Sequence, residues 1–337
     1  MKYYIEKCLA GESLTVDEAS AALHAIVSGQ ATDAQIAGLL IALRAKGETV
    51  DELLGFARIM REKALRVHLD DADAIDIVGT GGDGLGTFNI STAAAFVVAG
   101  AGVTVAKHGN CSVTSQSGSA DVLTALGVNI QLAPEKVQDC INNIGIGFIF
   151  APMFHPAMKV VAKARSELGV RTMFNLLGPL LNPAFVTRAL IGTFNPEIAR
   201  KLAGVLSRSS MRKAFVVQSD DGMDEISLSG ATNVFEIVGD HEPALSTITP
   251  STFGFYMRPL DAIKGGTKEE NAAIAISVLS GDSGPHRDVV IMNSAAAIYV
   301  AGYADHLNDA KAQAVESIDS GKAKAKLELL IEYTGKA

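Results

Sequence analysis

From residue 74 onward the chain alternates short β-branched runs with helical stretches, and few folds accept that rhythm. The runs are AIDIV at 74–78, VTVA at 103–106, FIFA at 148–151, ALIGTF at 189–194 and KAFVVQS at 213–219. Such alternation is the signature of a mostly parallel sheet with helices on its faces. Residues 232–248 read as strands with a turn at Gly239-Asp240, and helical stretches close the chain from about Lys268.

The first 65 residues have a different rhythm. They hold three capping boxes, Thr15-x-x-Glu18, Thr32-x-x-Gln35 and Thr49-x-x-Glu52, each able to satisfy two orphan amides at a helix start. Leu23, Ile26 and Val27, then Ile36, Leu39, Leu40 and Leu43, then Leu53, Leu54, Ala57 and Met60 follow at helical spacing, so three helices are expected, with stops at Gly29 and Gly47. A chain of 337 residues that is 48% hydrophobic can bury a large core, and one big domain with a smaller companion is the natural expectation. The division falls near residue 70, giving a helical part over 1–70 and an α/β part over 71–337. No repeat, low-complexity tract or long linker separates them, so the two parts are expected to pack tightly.

Composition excludes several classes of function. Cys8, Cys111 and Cys140 are odd in number and widely spaced, which suits neither a disulfide framework nor a zinc site; a reducing cytoplasm fits best. Glu6, Lys7 and Glu12 interrupt the N-terminal apolar residues, unlike a signal peptide. The most apolar stretch, residues 90–106, is too short and too polar to cross a bilayer and reads as a buried helix and strand. A formal net charge of -8 argues against an extended nucleic-acid surface while leaving room for a local cationic pocket that meets a phosphorylated small molecule.

The first predicted strand runs into GTGGDGLGTFNIST at 79–92, with a helix starting near Ser91. Backbone amides close to a helix N-terminus are a ready site for phosphate oxygens, although a tight strand-to-helix turn without ligand would use the same glycines. Gly79, Gly81 and Gly84 also satisfy the dinucleotide fingerprint G-x-G-x-x-G. That reading requires an acid at the end of the next strand to bind a ribose hydroxyl, and the chain offers Lys107-His108 instead. The Walker pattern fails too, because no Gly-Lys-Ser/Thr follows. Thr87 and Asn89 can donate to phosphate or ribose oxygens, and Ser91 can offer its hydroxyl to a metal; Ser91 and Thr92 can equally serve as helix caps.

Lys107-His108-Gly109-Asn110 form a second polar loop after the next strand, and residues 112–119 add hydroxyls ahead of a helix over 120–126. Adjacent parallel strands would bring both loops to one edge of the sheet, where open α/β sheets bind ligands. Lys107 suits phosphate there, though it also fits a solvated lysine, and His108 a structural histidine. After the strand at 213–219, Asp220-Asp221-Gly222-Met223-Asp224-Glu225 places carboxylates on a turn. Hard oxygen ligands there can hold Mg²⁺, or the turn is merely a solvated acidic loop.

GTGGD at Gly79, NIST at Asn89, KHGN at Lys107, GSADVL at Gly118, RTMFNLLGPLLNP at Arg171 and GMDEIS at Gly222 occur in an order and spacing that resemble the anthranilate phosphoribosyltransferase family over essentially the whole chain. Thymidine and pyrimidine nucleoside phosphorylases share a similar fold and glycine loop but carry a differently arranged second loop. The resemblance implies a small helical N-terminal domain, joined by a helical insertion around 160–185 and packed on a larger α/β domain with a mostly parallel central sheet, a nucleoside phosphorylase/phosphoribosyltransferase-like fold. It implies transfer of a 5-phosphoribosyl group from phosphoribosyl diphosphate to anthranilate in tryptophan biosynthesis, by a homodimer built through the helical domain. A related acceptor or a nucleoside phosphorylase reaction is the alternative.

By residue, the resemblance places Gly79, Gly82, Asp83, Thr87, Asn89, Ile90, Ser91, Thr92, Lys107, His108, Ser115 and Ser119 in the substrate site, with Asn110 and Arg165 meeting anthranilate. Ser91, Asp224 and Glu225 would carry two Mg²⁺ ions, and His108 would orient the amine rather than act as a strong base. One departure stands out: the family usually continues KHGN with arginine, and this chain has Cys111. Either the variation is tolerated or substrate handling is altered, since a short thiol cannot replace a guanidinium fork.

Overall fold

The three expected capping boxes all form. The Thr15, Thr32 and Thr49 side chains accept from the backbone N–H of Glu18, Gln35 and Glu52, whose own side chains reach back to the threonine amides. Each cap of this kind is worth roughly 1 kcal/mol. Helix α1 (Lys2–Leu9), which lacks a side-chain cap and is an addition to the three expected helices, precedes the capped helices α2 (Val16–Val27), α3 (Asp33–Lys46) and α4 (Val50–Glu62). The fully buried Glu52 holds the group together: it accepts from Leu14 N–H at 2.9 Å and pairs with Lys46 at 3.0 Å. Gly55 lets α2 and α4 touch, because a β-carbon there would lie 2.5 Å from the Val16 carbonyl oxygen.

The computed structural model describes residues 1–111 and 117–335, and its centre is a seven-stranded sheet. Strands β1 (Ile75–Gly79), β2 (Val105–Gly109), β3 (Ile146–Phe150), β4 (Arg188–Gly192) and β5 (Lys213–Ser219) are parallel, and β6 (Thr232–Val238) and β7 (Ala244–Ile248) are antiparallel. Their order across the sheet is β3-β2-β1-β4-β5-β6-β7. The chain therefore steps one way from β1 and the other way from β4. Those two strands run in register from Ile75 opposite Arg188 to Gly79 opposite Gly192, and a crevice opens beyond their carboxyl ends.

Alternate residues along a strand face opposite sides, so the sheet divides two cores. Leu190, Phe215 and Val217 join Ile75, Ile77 and the apolar faces of α5 (Ile90–Gly100) and of later helices. Ala189, Ile191, Ala214 and Val216 face the other way, toward the N-terminal helices. Between β2 and β4 come α6 (Ser119–Ala125), α7 (Pro134–Ile144), α8 (Ala151–Phe154), α9 (Met158–Leu168) and α10 (Phe174–Leu177); α11 (Pro196–Leu206) follows β4. Val161 and Ala164 of α9 and Phe174 of α10 share the core of the N-terminal helices, with Phe174 edge-on to Phe56 at 6.1 Å. The chain ends in α12 (Lys268–Leu279), α13 (Pro285–Ala301), α14 (Leu307–Asp319) and α15 (Lys322–Gly335). No helix among the described residues is long and apolar enough to cross a membrane.

One local expectation fails. Lys107, His108 and Gly109 are not loop residues but the end of β2, paired with Phe148, Ile149 and Phe150 of β3, and Lys107 and His108 are each only 4% exposed. Their polar groups are satisfied inside the sheet. Lys107 Nζ donates to the Ile77 carbonyl at 2.6 Å, and the His108 N–H donates to Asp76 Oδ1 at 3.0 Å.

Candidate active site at the switch point

The carboxyl ends of β1, β2, β4 and β5 deliver separate pieces of sequence to one crevice. The glycine loop leaves β1 through three tethers. Thr80 N–H donates to the Gly192 carbonyl at 2.9 Å, Gly81 N–H to Asp224 Oδ2 at 2.7 Å, and the Gly82 carbonyl accepts from Arg171 Nη2 at 2.9 Å. Gly81 and Gly82 both adopt positive φ, 67° and 81°, which glycine allows without strain. Among the described residues no acceptor takes the amides of Gly82 or Asp83, leaving two N–H groups for an anion.

Asp224 and Glu225 reach this loop from beyond β5, and two glycines make room for Asp224. A β-carbon on Gly79 would lie 2.6 Å from Asp224 Oδ2, and one on Gly192 would overlap the Asp224 carbonyl oxygen outright. Glu225 sits at the start of α5, where Ser91 N–H donates to its Oε1 at 3.1 Å. A carboxylate is favoured by the positive end of a helix. Asn89 is the N-cap residue of α5 and makes no side-chain cap bond, so neither Ser91 nor Thr92 is spent on capping. The Ser91 hydroxyl instead accepts from Lys107 Nζ at 3.3 Å, and Thr92 Oγ1 is buried without a partner.

These acids are electrostatically crowded. Burial raises the pKa of Asp224, and the adjacent Asp83 carboxylate raises it further; burial and then the charge of Asp224 raise that of Glu225. Lys107 opposes this at Glu225, but its own burial pushes the lysine down as well. Lys107 interacts with the charges of Asp76 and Glu225, and Asp83 Oδ2 is buried with no hydrogen-bond partner among the described residues. A divalent cation would reverse the shifts.

The remaining expected residues line the same space, a cavity of about 800 Å³. Thr87, Asn89, Ile90, Ser91, Lys107, His108, Asn110, Ser119 and Arg165 all border it, together with Gly79, Gly82, Asp83, Asp224 and Glu225. Thr92 lies behind the wall, and Ser115 falls outside the described residues. Asn89 is braced on both sides, donating to Ser117 O at 3.2 Å and accepting from Asn271 Nδ2 at 2.9 Å. Arg165 extends from α9 over the Phe174 ring, 5.4 Å from its centroid. His108 Nε2 meets His155 Nε2 at 3.2 Å, and burial holds the two imidazoles at about 3 and about 4, so both are neutral at physiological pH.

Residues 71–324 match the glycosyl transferase family a/b domain, and residues 2–64 match the helical bundle domain of the glycosyl transferase family. The anthranilate phosphoribosyltransferase of Pelotomaculum thermopropionicum is 50% identical over 99% of this chain and 97% of its own length. That of Rhodopseudomonas palustris is 50% identical over 100% of this chain and 99% of its own. The chain belongs to the anthranilate phosphoribosyltransferase family. Solved members share the fold: the Thermus thermophilus enzyme superposes with a TM-score of 0.93 at 42% identity, covering 98% of this chain and 99% of its own. The Saccharomyces cerevisiae enzyme, solved in complex with PRPP and Mg, gives 0.92 at 30% identity, covering 100% and 98%.

Within this family frame, several residues that shape the crevice were not singled out by sequence reasoning. Gly192 carried a signal, a glycine closing a β-branched run, but its partner lies far along the chain. Arg171 belonged to a quoted motif without a role. Gly265 and Asn271, which clamp the glycine loop through Gly86 O and Asn89, gave no local signal.

Proposed function

We propose that this protein transfers the 5-phosphoribosyl group of phosphoribosyl diphosphate to the amine of anthranilate, giving N-(5-phosphoribosyl)anthranilate and diphosphate in tryptophan biosynthesis. The observation that carries this reading is the convergence of the open Gly82 and Asp83 amides with Ser91, Asp224 and Glu225 in one cavity that also exposes Asn110 and Arg165. The full-length similarity to anthranilate phosphoribosyltransferases supports it independently.

The residues present fit Mg²⁺. Ser91, Asp224 and Glu225 offer only oxygen ligands, and the buried Asp83 oxygen beside them has no hydrogen-bond partner among the described residues. Among the described residues no group of three or more His, Cys, Asp and Glu side chains forms a metal cage. Mg²⁺ is ordinarily bound through one or two carboxylates, with water and substrate phosphates as its other ligands. Ser91, Asp224 and Glu225 would hold two such ions. When bound, Mg²⁺ supplies charge neutralisation to departing diphosphate.

The chain's own groups do the rest by positioning and electrostatics. Gly82 and Asp83 hold phosphate oxygens through backbone amides; Gly79, Thr87, Asn89, Ile90, Ser91, Lys107, Ser115 and Ser119 complete the donor site, with Thr92 directly behind its wall. Arg165 meets the anthranilate carboxylate, for which a planar cation is apt, and Asn110 holds its other side. An aromatic amine is unprotonated at neutral pH and needs no strong base. His108, held neutral by burial, aligns it.

Residues 1–70 together with the helices around 160–185 are assigned as one unit and the remainder of 71–337 as the other, supported by the core that α9 and α10 share with the N-terminal helices. Homodimerisation through the helical unit and a cytoplasmic location are part of the same proposal, the latter supported by three free cysteines. Mixing the protein with Mg²⁺, phosphoribosyl diphosphate and anthranilate and following anthranilate fluorescence tests the activity. Loss that requires all three is expected. No loss at high enzyme, or phosphorolysis of a pyrimidine nucleoside instead, would overturn it.

A further inference from the structure

Arg171 lies on the segment between α9 and α10, six residues after Arg165, and its side chain leaves that segment for the glycine loop. Its Nη2 donates to the Gly82 carbonyl at 2.9 Å, and its guanidinium lies over the Phe194 ring, 5.1 Å from the centroid. Phe194 follows β4 at the switch point, so the ring fixes where the cation can sit. The fit is tight: a β-carbon on Gly82 would overlap Arg171 Nη2. On the other side, Arg44 of α3 donates through Nη1 to the Arg171 carbonyl oxygen. One continuous path therefore runs from the N-terminal helices through the backbone of Arg171 and out along its side chain to the loop whose Gly82 and Asp83 amides are open.

We infer that Arg171 is a positioning residue that holds the glycine loop in its phosphate-accepting form and links that form to the segment carrying Arg165. With the Gly82 carbonyl held by Arg171, the planar Gly82–Asp83 peptide cannot rotate, which fixes the direction of the Asp83 N–H next to the open amide of Gly82. Preorganised donors of this kind bind an anion without first being ordered. The guanidinium is required rather than a general cation, because a lysine can reach a carbonyl but cannot at the same time place a broad, weakly hydrated cation over Phe194. Since Arg165 and Arg171 belong to one short segment braced by α3, filling the acceptor side and ordering the donor loop assist each other, and that coupling is reciprocal. This inference deepens the proposed activity and rests on it.

The test is titration calorimetry of phosphoribosyl diphosphate, in the presence of Mg²⁺, into the intact wild-type protein and Arg171→Ala, with steady-state kinetics in parallel. Loss of one charge-assisted hydrogen bond is expected to weaken donor binding and raise its KM about tenfold. kcat should stay within about twofold, since the bond is made equally before and during reaction. Arg171→Lys should recover only part of the affinity. In wild type, an anthranilate analogue should tighten donor binding, and Arg171→Ala should abolish that effect. If Arg171→Ala fails to fold, Phe194→Leu removes only the ring beneath the guanidinium and should give the same weakening. Unchanged donor affinity in a folded Arg171→Ala protein, or in Phe194→Leu, overturns the inference, as does an equal fall in kcat and both affinities. Calorimetry reads the role of Arg171 whether or not wild type turns anthranilate over, so failure of the activity would be seen separately.

Discussion

The carbonyl oxygen of Asp224 occupies the place a β-carbon would take on Gly192. No side chain at 192 is compatible with Asp224 in this position, so the end of β4 fixes the backbone on which both acids ride. Gly192→Ala is expected to lower kcat/KM by at least about a hundredfold and to destabilise the fold by about 1–3 kcal/mol, the usual range for overpacking a close contact. Denaturant unfolding and steady-state kinetics check both. A variant with normal activity would mean that Asp224 is not needed where it stands.

The acids themselves should act through the metal rather than the fold. Asp224→Asn and Glu225→Gln are expected to raise the Mg²⁺ concentration for half-maximal activity at least about tenfold. Both should fold normally, because each replacement relieves repulsion among carboxylates that burial and mutual charge already push toward protonation. A Mg²⁺ titration of initial rates separates them from wild type. An unchanged titration would remove the residue from the metal site.

His108 and His155 predict a pH dependence of stability with a definite sign. Their folded pKa values, about 3 and about 4, lie below the ordinary 6.5, so the unfolded chain binds protons that the folded chain refuses. Their contribution is present above 6.5 and is lost as pH falls through about 4. His155→Asn should flatten the stability curve across that window without adding a neutral-pH ionisation to kcat. Urea midpoints at a series of pH values measure it, and an unaltered slope would contradict the buried neutral pair.

Arg165→Ala should raise KM for anthranilate by about 10- to 100-fold, as expected for a lost charge-assisted bond to a carboxylate, while donor affinity changes little. Kinetics at saturating phosphoribosyl diphosphate decide this. A selective effect on donor KM would reassign Arg165.

At Cys111 the structure favours tolerance. Cys111 is exposed at the cavity rim, and partial burial of its thiol, then the nearby Asp121 carboxylate, raises its pKa. An arginine introduced there would have that carboxylate as a competing partner, so Cys111→Arg is expected to change donor KM by less than about threefold. A large fall would show that the missing guanidinium matters.

Much of this architecture is legible without coordinates. The capping threonines mark helix starts because capping is local, and the β-branched runs mark strands because period and composition are local too. Ser91, Asp224 and Glu225 stand out by type, and their position after strands suggests that they meet. Lys107 and His108 read as loop residues because their polarity resembles one. Only the fold reveals that Ile77 O, Asp76 and His155 satisfy them inside the sheet. Helix α1 escapes notice because it carries no capping side chain. Gly192 against Asp224 and Arg171 against Gly82 are contacts between distant segments, and nothing local to either partner encodes them.

The central claim is Mg²⁺-assisted transfer of a phosphoribosyl group to anthranilate, and phosphorus NMR of the reaction mixture tests it most directly. Free diphosphate should grow one for one with the loss of anthranilate, and only when Mg²⁺ is present. Diphosphate released at the same rate without anthranilate, or donor left intact beside it, would contradict the account.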